Sequence, residues 1–580
     1  IIIKNMEDKI ISLLKDLIKS QYDIEIDNIK LEIPPKKELW DFAFWAFLLS
    51  RDLKRNPNQI ANEIKDILLW NDLIEKASVE WPYLNIFVNK SSFNDLFSST
   101  YSDDYFNNIS SFWDNKKIVI DYIWANVGKP LHIGHMCTPN QWQAMINAYK
   151  KLWYDVISDS HIGDWWIIFG KLITAYKLWW EESRLKENAV DYLLELYVKI
   201  TSEIESVWEE LEQKTRDEFK LLSSWNTESI ELWRKFTSYS IDAMNQQLAR
   251  LNVKPDYNIW ESFYEGLWLP KMEDYPDLKY DMHFIVNELV WKNIATKNED
   301  NSVWVNFDES KKIPSCILQK RDWTHGYLAS DLAAIKYRVD NWNPEKIIYF
   351  VDVRQQMHLK QAFDIASSAW WVKNTELFHA YNWFISLKDW AMSTRKGRII
   401  KLDALLDESE NRAKNIILEK RDDISWEELD NLSKIIWTWA IKYWYLKKSR
   451  ESDVIFDWDE FMSFDWNSWP YIQYAYVRSI RILENFWDDI DIKHNIVFEN
   501  DEETDLIKGL SNYKDILIES TKTNSPHILC KYAYSLTKSF NSFYNNVHIL
   551  NEEDLDKKLS RLKLVKLFWI ILKDTFSILW

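Results

Sequence analysis

The spacing of apolar positions changes twice along the chain, and each change marks a different kind of element. Between residues 6 and 19 apolar positions recur every three to four residues, which predicts an amphipathic helix. A short strand is expected around 27–33, more helix at 58–69 and a strand at 83–88, so residues 1–111 read as a small α+β module. From 112 to 405 short apolar runs (117–123, 155–158 and 345–351) alternate with long helical stretches, the signature of parallel βαβ units. A polar helical stretch at 181–251 interrupts that alternation and reads as an insertion. From 406 to 580 nearly everything reads as helix, ending in the Leu-, Ile- and Lys-rich segment 555–579. The expected fold class is therefore multidomain α/β: a doubly wound, Rossmann-like parallel-sheet domain between an α+β N-terminal module and an all-α C-terminal domain. The most apolar stretch, 39–49, is short and interrupted by Asp41, too little for a membrane span. No secretory signal is expected at the start, where the chain opens Ile-Ile-Ile and the first methionine is Met6, leaving its true start open.

Composition complicates this ordinary picture. Typical usage of ~7% would give roughly 40 glycines in a chain this long, yet it has 8 glycines and 35 tryptophans. The two counts together approach the glycine expectation. Trp153 follows a helical run ending in two lysines and precedes an apolar run, where glycine usually closes a helix; Trp370 repeats the pattern. Trp323, Trp390 and Trp466 follow Asp, and Trp342 and Trp383 follow Asn, where Asp-Gly and Asn-Gly turns are expected. A carbohydrate-binding platform would cluster its tryptophans in strands, whereas these are spread along the chain at turns. Most printed tryptophans are therefore expected to stand at glycine positions, as if one codon, a reassigned stop, were rendered Trp but read as Gly by the organism.

Charge and cysteine content set looser bounds. A net charge of -18 argues against a wholly basic nucleic-acid coat but leaves room for a local basic face. Cys137, Cys316 and Cys530 lie far apart without a CxxC pair, which supports neither a disulfide framework nor a zinc site. A reducing, cytoplasmic setting fits, with no structural metal.

The chemistry concentrates at 117–150. A buried strand runs into a loop carrying Gly128, Lys129, Pro130, His132, Gly134 and His135, and then into a helix. That is a nucleotide-binding arrangement, because free N–H groups and the dipole at a helix N-terminus favour phosphate. Two histidines three apart can place two imidazole donors on a phosphoryl group, while Gly134 lets the adenine ring lie against backbone.

Asn126, Lys129, Pro130, His132, Gly134 and His135 together resemble the HIGH signature of class I aminoacyl-tRNA synthetases, specifically the arginyl-tRNA synthetase family. The segment 158–173 is similar to that family's His-Ile-Gly-Asp-Trp-Gly block, so Trp165 reads as a genuine tryptophan and Trp166 stands at a family glycine. Trp40, Trp81, Trp153, Trp260, Trp323 and Trp383 also stand where family glycines are expected, whereas Trp179, Trp233 and Trp458 look genuine. The resemblance runs from the N-terminal module to the last helix.

It implies a set of roles. His132, His135 and Lys129 would be catalytic, stabilising charge as the arginine carboxylate attacks the α-phosphate of ATP, brought in with Mg²⁺. Gly134, Gly163, Asp164, Met392, Ser393, Arg395 and Lys396 would bind ATP. A guanidinium needs carboxylate and amide acceptors. Tyr327 and Asp331, four apart and on one face if helical, would hold the side chain, with Gln355 lining the pocket. Asp121 and Asn126 would take the α-amino and carboxylate end. The second family signature departs from its pattern, since Ala391 and Thr394 stand at its two lysine positions; Arg395, Lys396 and Lys129 are expected to supply the missing charge. The partners implied are L-arginine, ATP and tRNA(Arg), with no membrane, for a monomer. Tyr471, Gln473, Tyr474 and Arg478 would offer stacking faces and a cation to unstacked RNA bases, and the N-terminal module would touch the tRNA elbow. Two rivals remain open: an HxGH nucleotidyltransferase acting on a small molecule, and a binding-only relative whose nucleotide site is choked by Trp124 and Trp166.

Overall fold

Residues 1–110, 471–520 and 528–577 form one compact unit, and 111–470, 521–527 and 578–580 form the other. The structure, a computed structural model, describes residues 3–26, 28–32, 41–80, 82–102, 116–122, 126–207, 209–267, 275–383, 385–387, 400–421, 423–457, 468–484, 486 and 495–580.

The first unit opens with the helix Ile3–Tyr22, followed by strands β1 (Leu31–Glu32), β2 (Phe42–Trp45), β3 (Ile74–Glu80) and β4 (Tyr83–Val88). These strands pair antiparallel in the order β1-β2-β4-β3. The helix Pro57–Leu68 starts where Asn56 accepts from the Asn58 N–H and Pro57 needs no partner, and it buries Ile60, Ala61, Ile64 and Leu68 along one stripe. The later stretches of this unit are helical and pack on the module directly: Lys508 pairs with Asp41, and Phe97 meets Phe498 edge-on at 5.0 Å. Among them, the helix Leu555–Leu579 carries Arg561, whose guanidinium pairs with the buried Glu503 at 2.6 Å.

The second unit is built on β5 (Lys117–Tyr122), β6 (Asp155–Ser160), β7 (Tyr257–Asn258), β11 (Lys346–Tyr349) and β12 (Glu376–His379), which form a parallel sheet in the order β12-β11-β5-β6-β7. Ile118, Val119 and Ile120 are buried, as a strand covered on both faces requires. The chain leaves β5 through the helix Ile133–Lys151 to reach β6 on one side, while β11 lies on the other. That divergence opens a crevice beyond the carboxyl ends of β5, β6 and β11. The polar stretch expected as an insertion forms four helices, Glu182–Glu187, Ala189–Val207, Glu209–Ser223 and Thr227–Arg250, between β6 and β7. β8 (Thr296–Lys297), β9 (Val303–Val305) and β10 (Cys316–Gln319) make a small antiparallel sheet; β13 (Ile385–Leu387) pairs parallel with β14 (Val454–Phe456). No helix among the described residues is long and apolar enough to cross a membrane.

Among the described residues, five tryptophans adopt left-handed or related backbone angles: Trp153 (φ 64°), Trp166 (φ 92°), Trp225 (φ 63°), Trp323 (φ 67°) and Trp370 (φ 63°). Glycine occupies this region freely and asparagine more readily than most, whereas a bulky residue there is an outlier. Trp153, Trp225 and Trp370 each follow a helix whose next N–H reaches back five residues, as in Tyr154 N to Tyr149 O, Asn226 N to Leu221 O and Trp371 N to Ala366 O. Asn252 and Asn293 hold the same position in two further helices, with Val253 N on Leu248 O and Ile294 N on Leu289 O. It is the Schellman closure, whose left-handed residue is usually Gly and sometimes Asn. Trp342, read from the sequence as part of an Asn-Gly turn, instead ends the helix Tyr327–Trp342 as a buried ring 5.1 Å from Tyr257, and Asn343 takes the positive φ. Trp40, Trp81, Trp124, Trp390, Trp458 and Trp466 lie outside the described residues.

Candidate active site

The loop after β5 ends at His132, which caps the helix Ile133–Lys151 by an exchange of hydrogen bonds. The Gly134 N–H donates to His132 Nδ1, and the His132 N–H donates to His135 Nδ1, each at 3.1 Å. Backbone N–H groups can only donate, so both Nδ1 atoms must be acceptors and each ring carries its proton on Nε2. Burial, assisted by the positive charges of Arg354 and Lys129, lowers His132 to about 4. Burial and the neighbouring His132 hold His135 well below the usual histidine range. At neutral pH the pair is thus two neutral, oriented N–H donors, with ring centroids 3.9 Å apart. Lys129 stands with its ammonium 4.3 Å from the centre of the Tyr197 ring. Beside the pair, Ile133 N donates to Ile400 O and Leu402 N to Leu131 O, so the residues just after the second signature are bonded to the first. Met392, Ser393, Arg395 and Lys396 themselves lie outside the described residues.

A second cluster surrounds Asp331. The helix Tyr327–Trp342 puts Tyr327 and Asp331 one turn apart. The Asp331 carboxylate is 7% exposed, with His161 Nε2 at 3.4 Å from one oxygen and His358 Nε2 at 2.5 Å from the other. Burial would raise its pKa, but His358, His161 and Arg338 outweigh burial and keep it below the ordinary carboxylate value. Asp331 in turn raises His358 against the effect of burial. Glu261, in the short helix Glu261–Glu265, faces the same space; burial and the charges of Asp331 and Asp164 push its pKa far up. The Trp166 indole N–H donates to the Glu261 carboxylate, and the Trp166 ring lies 4.3 Å from Tyr327.

Other expected residues divide between this space and the framework. Asn126 bridges to Gly163, where a Cβ would come within 2.7 Å of the Asn126 side-chain oxygen and 3.3 Å of Glu261. Any side chain at 163 would have to push the Asn126 amide and the Glu261 carboxylate aside. Gln355 ends a single turn, Val353–Gln355, directly before the helix that carries His358. Asp121, expected to meet the amino-acid backbone, is fully buried in an ion pair with Arg338 at 2.6 Å. Arg338 also clamps Asp159 at 2.7 Å, tying the ends of β5 and β6 to the pocket helix. Asp164, expected at ATP, is fully buried and accepts from the Ser262 N–H at 2.9 Å and the Ser262 hydroxyl at 2.5 Å. Both carboxylates are thus engaged by groups of the framework, Asp121 by Arg338 and Asp164 by Ser262. In the other unit, Arg478 lies over the rings of Tyr474 at 4.5 Å and Tyr544 at 4.3 Å, and Asn541 links it to the Tyr471 hydroxyl. Gln473 is half-buried in the same helix, Trp469–Leu483. Among the described residues there is no group of three or more His, Cys, Asp or Glu side chains that could hold a metal ion.

Sequence reading missed Glu261, His358, Arg338 and Arg354. His161 opens the resembling block and was within reach. Arg338 shares the helix of Tyr327 and Asp331, Arg354 and His358 flank Gln355, and Glu261 follows Trp260, so each stood beside a residue read from the sequence and is distinguished only by its contacts in the fold.

Three family models match the chain: the catalytic domain of "tRNA synthetases class I (R)" over residues 104–458, the "DALR anticodon binding domain" over 472–579, and the "Arginyl tRNA synthetase N terminal domain" over 4–88. The arginine–tRNA ligase of Fusobacterium nucleatum is 34% identical over 561 residues, covering 96% of this chain and 95% of that one. The arginine–tRNA ligase of Clostridium botulinum strain Alaska E43 is 34% identical over 572 residues, 98% of each. In fold the chain is similar to the arginyl-tRNA synthetase structures from Plasmodium falciparum (TM-score 0.76, 21% identity, 99% and 97% covered) and Thermus thermophilus (TM-score 0.74, 19% identity, 98% and 97% covered). With matches that span the chain at this identity, and with its own signature pair at the end of a parallel sheet, the protein belongs to the class I arginyl-tRNA synthetase family.

Proposed function

We propose that this arginine–tRNA ligase recognises its amino acid through the Asp331 cluster and activates it against the His132–His135 pair. What carries the reading is Asp331, a buried carboxylate kept ionised between His161 and His358, one helical turn from Tyr327. A guanidinium presents a planar fork of donors, and two carboxylates in a dry pocket satisfy it best. Asp331 and Glu261 are those carboxylates, Tyr327 and Gln355 line the pocket, and Asn126 meets the α-amino and carboxylate end. Asp121 acts through Arg338, as a positioning residue that fixes the end of β5.

The reaction then needs no protein nucleophile. The arginine carboxylate attacks the α-phosphorus of ATP, the bond to the bridging oxygen breaks, and pyrophosphate leaves. The terminal ribose hydroxyl of tRNA(Arg) next takes the aminoacyl group and AMP leaves. His132 and His135 contribute two fixed Nε2–H donors to the phosphate oxygens, and Gly134 leaves room for adenine. Such preoriented donors stabilise charge without reorganising in the transition state. Lys129 supplies a cation from the side of the first signature, and Arg395 and Lys396 follow the degenerate second one with Met392 and Ser393. ATP brings its own Mg²⁺. Phosphoryl chemistry of this kind rests on positioning and charge neutralisation. Tyr471, Gln473, Tyr474 and Arg478 form the surface for unstacked anticodon bases.

The same proposal extends to the tryptophans. Trp153, Trp225 and Trp370 share the Schellman position of Asn252 and Asn293 and are 60%, 57% and 71% exposed, so their indoles contribute little packing. We read them, with Trp166 and Trp323, as glycines of the natural protein. The mass of the natively expressed protein should fall short of the printed chain by the difference between an indolylmethyl group and a hydrogen at each such site. For the activity, ATP–pyrophosphate exchange with and without tRNA should respond to arginine and not to lysine; exchange driven by another amino acid would refute the assignment.

A further inference from the structure

We infer that Tyr197, on a helix of the insertion between β6 and β7, is the positioning residue for the Lys129 ammonium in the activation step. The inference rests on the reading above that Lys129 supplies charge to the triphosphate, and it names what aims that charge.

The supporting helix is well anchored. Ala189–Val207 buries Leu193, Leu196 and Ile200 along one stripe, and the Tyr192 hydroxyl donates at 2.8 Å to Trp179 O, at the end of the helix Ile167–Trp179. One turn on from Leu193 stands Tyr197, 8% exposed, with the Lys129 ammonium 4.3 Å from the centre of its ring. Nearer the helix start, Asp191 pairs with Lys401 at 2.7 Å. Lys401 bridges in turn to His132, beside the bond from Ile133 N to Ile400 O. One insertion helix therefore reaches both a residue just ahead of the first signature and a residue just after the second.

An aromatic ring suits this task. The Lys129 ammonium ends a flexible four-carbon stem, and fixing such a group costs side-chain entropy. A carboxylate partner would fix it but cancel its charge. An aromatic face attracts a cation within about 6 Å of its centre, most strongly where water is excluded, and leaves the net charge in place for a phosphate. Lys171 lies 5.7 Å from the same ring, but it also donates to the Thr201 hydroxyl at 3.5 Å. Thr201 follows Tyr197 by one helical turn on the same face, so it draws the second cation aside and leaves the nearer one to the ring.

The test is single-turnover formation of arginyl-adenylate by the full chain expressed in its own host, with tRNA bound, in a double-mutant cycle. Tyr197→Leu should slow the step by roughly three- to thirtyfold, the range of a cation–π contact from an exposed to a desolvated site. Tyr197→Phe keeps the aromatic face and should stay within about twofold of the parent. In a Lys129→Ala background, Tyr197→Leu should change the rate by less than about twofold, because the ring then has no cation to aim. L-arginine affinity, measured by calorimetric titration, should stay within about threefold in every variant, which also reports that each is folded. Losses that multiply in the double variant overturn the inference, since damage to packing would slow both backgrounds alike. A Tyr197→Phe chain as slow as Tyr197→Leu also overturns it, by assigning the effect to the hydroxyl, and so does a Tyr197→Leu loss confined to arginine affinity. If Lys129→Ala alone leaves the rate unchanged, the reading of Lys129 fails and the inference with it. If Lys129→Ala slows the step and Tyr197→Leu does not, the reading of Lys129 stands and the inference alone fails.

Discussion

Asp331→Asn removes the charge at the centre of the proposed pocket while keeping its shape. At 7% exposure the carboxylate has almost no water to screen it, and His161 and His358 already hold it ionised. A hydrogen bond to a charged group contributes about 1.5–3 kcal/mol, and a guanidinium fork makes two to one carboxylate, so the loss is about 3–6 kcal/mol. In kcat/KM for arginine this corresponds to roughly a hundredfold to ten-thousandfold. Glu261 remains to hold part of the fork, which sets the expected value near the lower end. ATP does not touch Asp331 in this scheme, so KM for ATP should move little. The assay is ATP–pyrophosphate exchange with varied arginine at saturating ATP and tRNA, in protein expressed in its own host. A kcat/KM for arginine within threefold of the unsubstituted protein would refute the reasoning, because Glu261 holds only part of the fork and cannot by itself replace Asp331.

Further outcomes follow from the same structure. Lys129→Ala should lower the rate of adenylate formation far more than it weakens ATP binding; pre-steady-state exchange beside ATP titration separates the two, and an unchanged rate would remove Lys129 from the chemistry. Trp153→Gly should stabilise the protein by about 1 kcal/mol in urea unfolding, since it relieves a left-handed backbone and loses an indole that is 60% exposed. His132 has a folded pKa of about 4, below its ordinary value of 6.5, so the unfolded chain takes up a proton first and stability should fall as pH drops from about 6.5 toward 4. His132→Asn keeps the cap acceptor for Gly134 and should show a shallower slope over that window; an equal slope would assign the effect elsewhere. Arg478→Ala, which empties the gap between Tyr474 and Tyr544, should raise KM for tRNA while leaving arginine activation with bound tRNA near its original rate.

The parts of the fold legible in the sequence are those whose pattern is local. β4 at 83–88, the start of β5 at 117 and the last helix at 555–579 fall where periodicity put them. β3 escaped because its faces are mostly polar and half-exposed, leaving no alternation, and β2 because four consecutive apolar residues read equally well as helix. The signature histidines could be read from spacing, but their neutrality could not, since it depends first on burial and then on the charges of Arg354 and Lys129, with two backbone N–H groups fixing the tautomer. Asp331 was singled out through its family context, but that His161 and His358 close on its carboxylate, with Glu261 facing the same space, shows only in the fold. Asp121 shows the limit most clearly: a carboxylate at the end of β5 reads as a ligand, and only the fold brings Arg338 against it. The tryptophan excess was visible in composition alone, but only backbone angles separate Trp153, Trp225 and Trp370 at helix ends from Trp342, whose ring is buried.

Aminoacylation of an unfractionated tRNA pool by protein purified from its own host, run with each of the twenty amino acids in turn, tests the central claim most directly. The Asp331 pocket predicts charging by arginine alone, onto arginine tRNAs, with lysine at background. Charging by a different amino acid, or ATP-dependent adenylyl transfer to an acceptor other than tRNA with no charging at all, would contradict it.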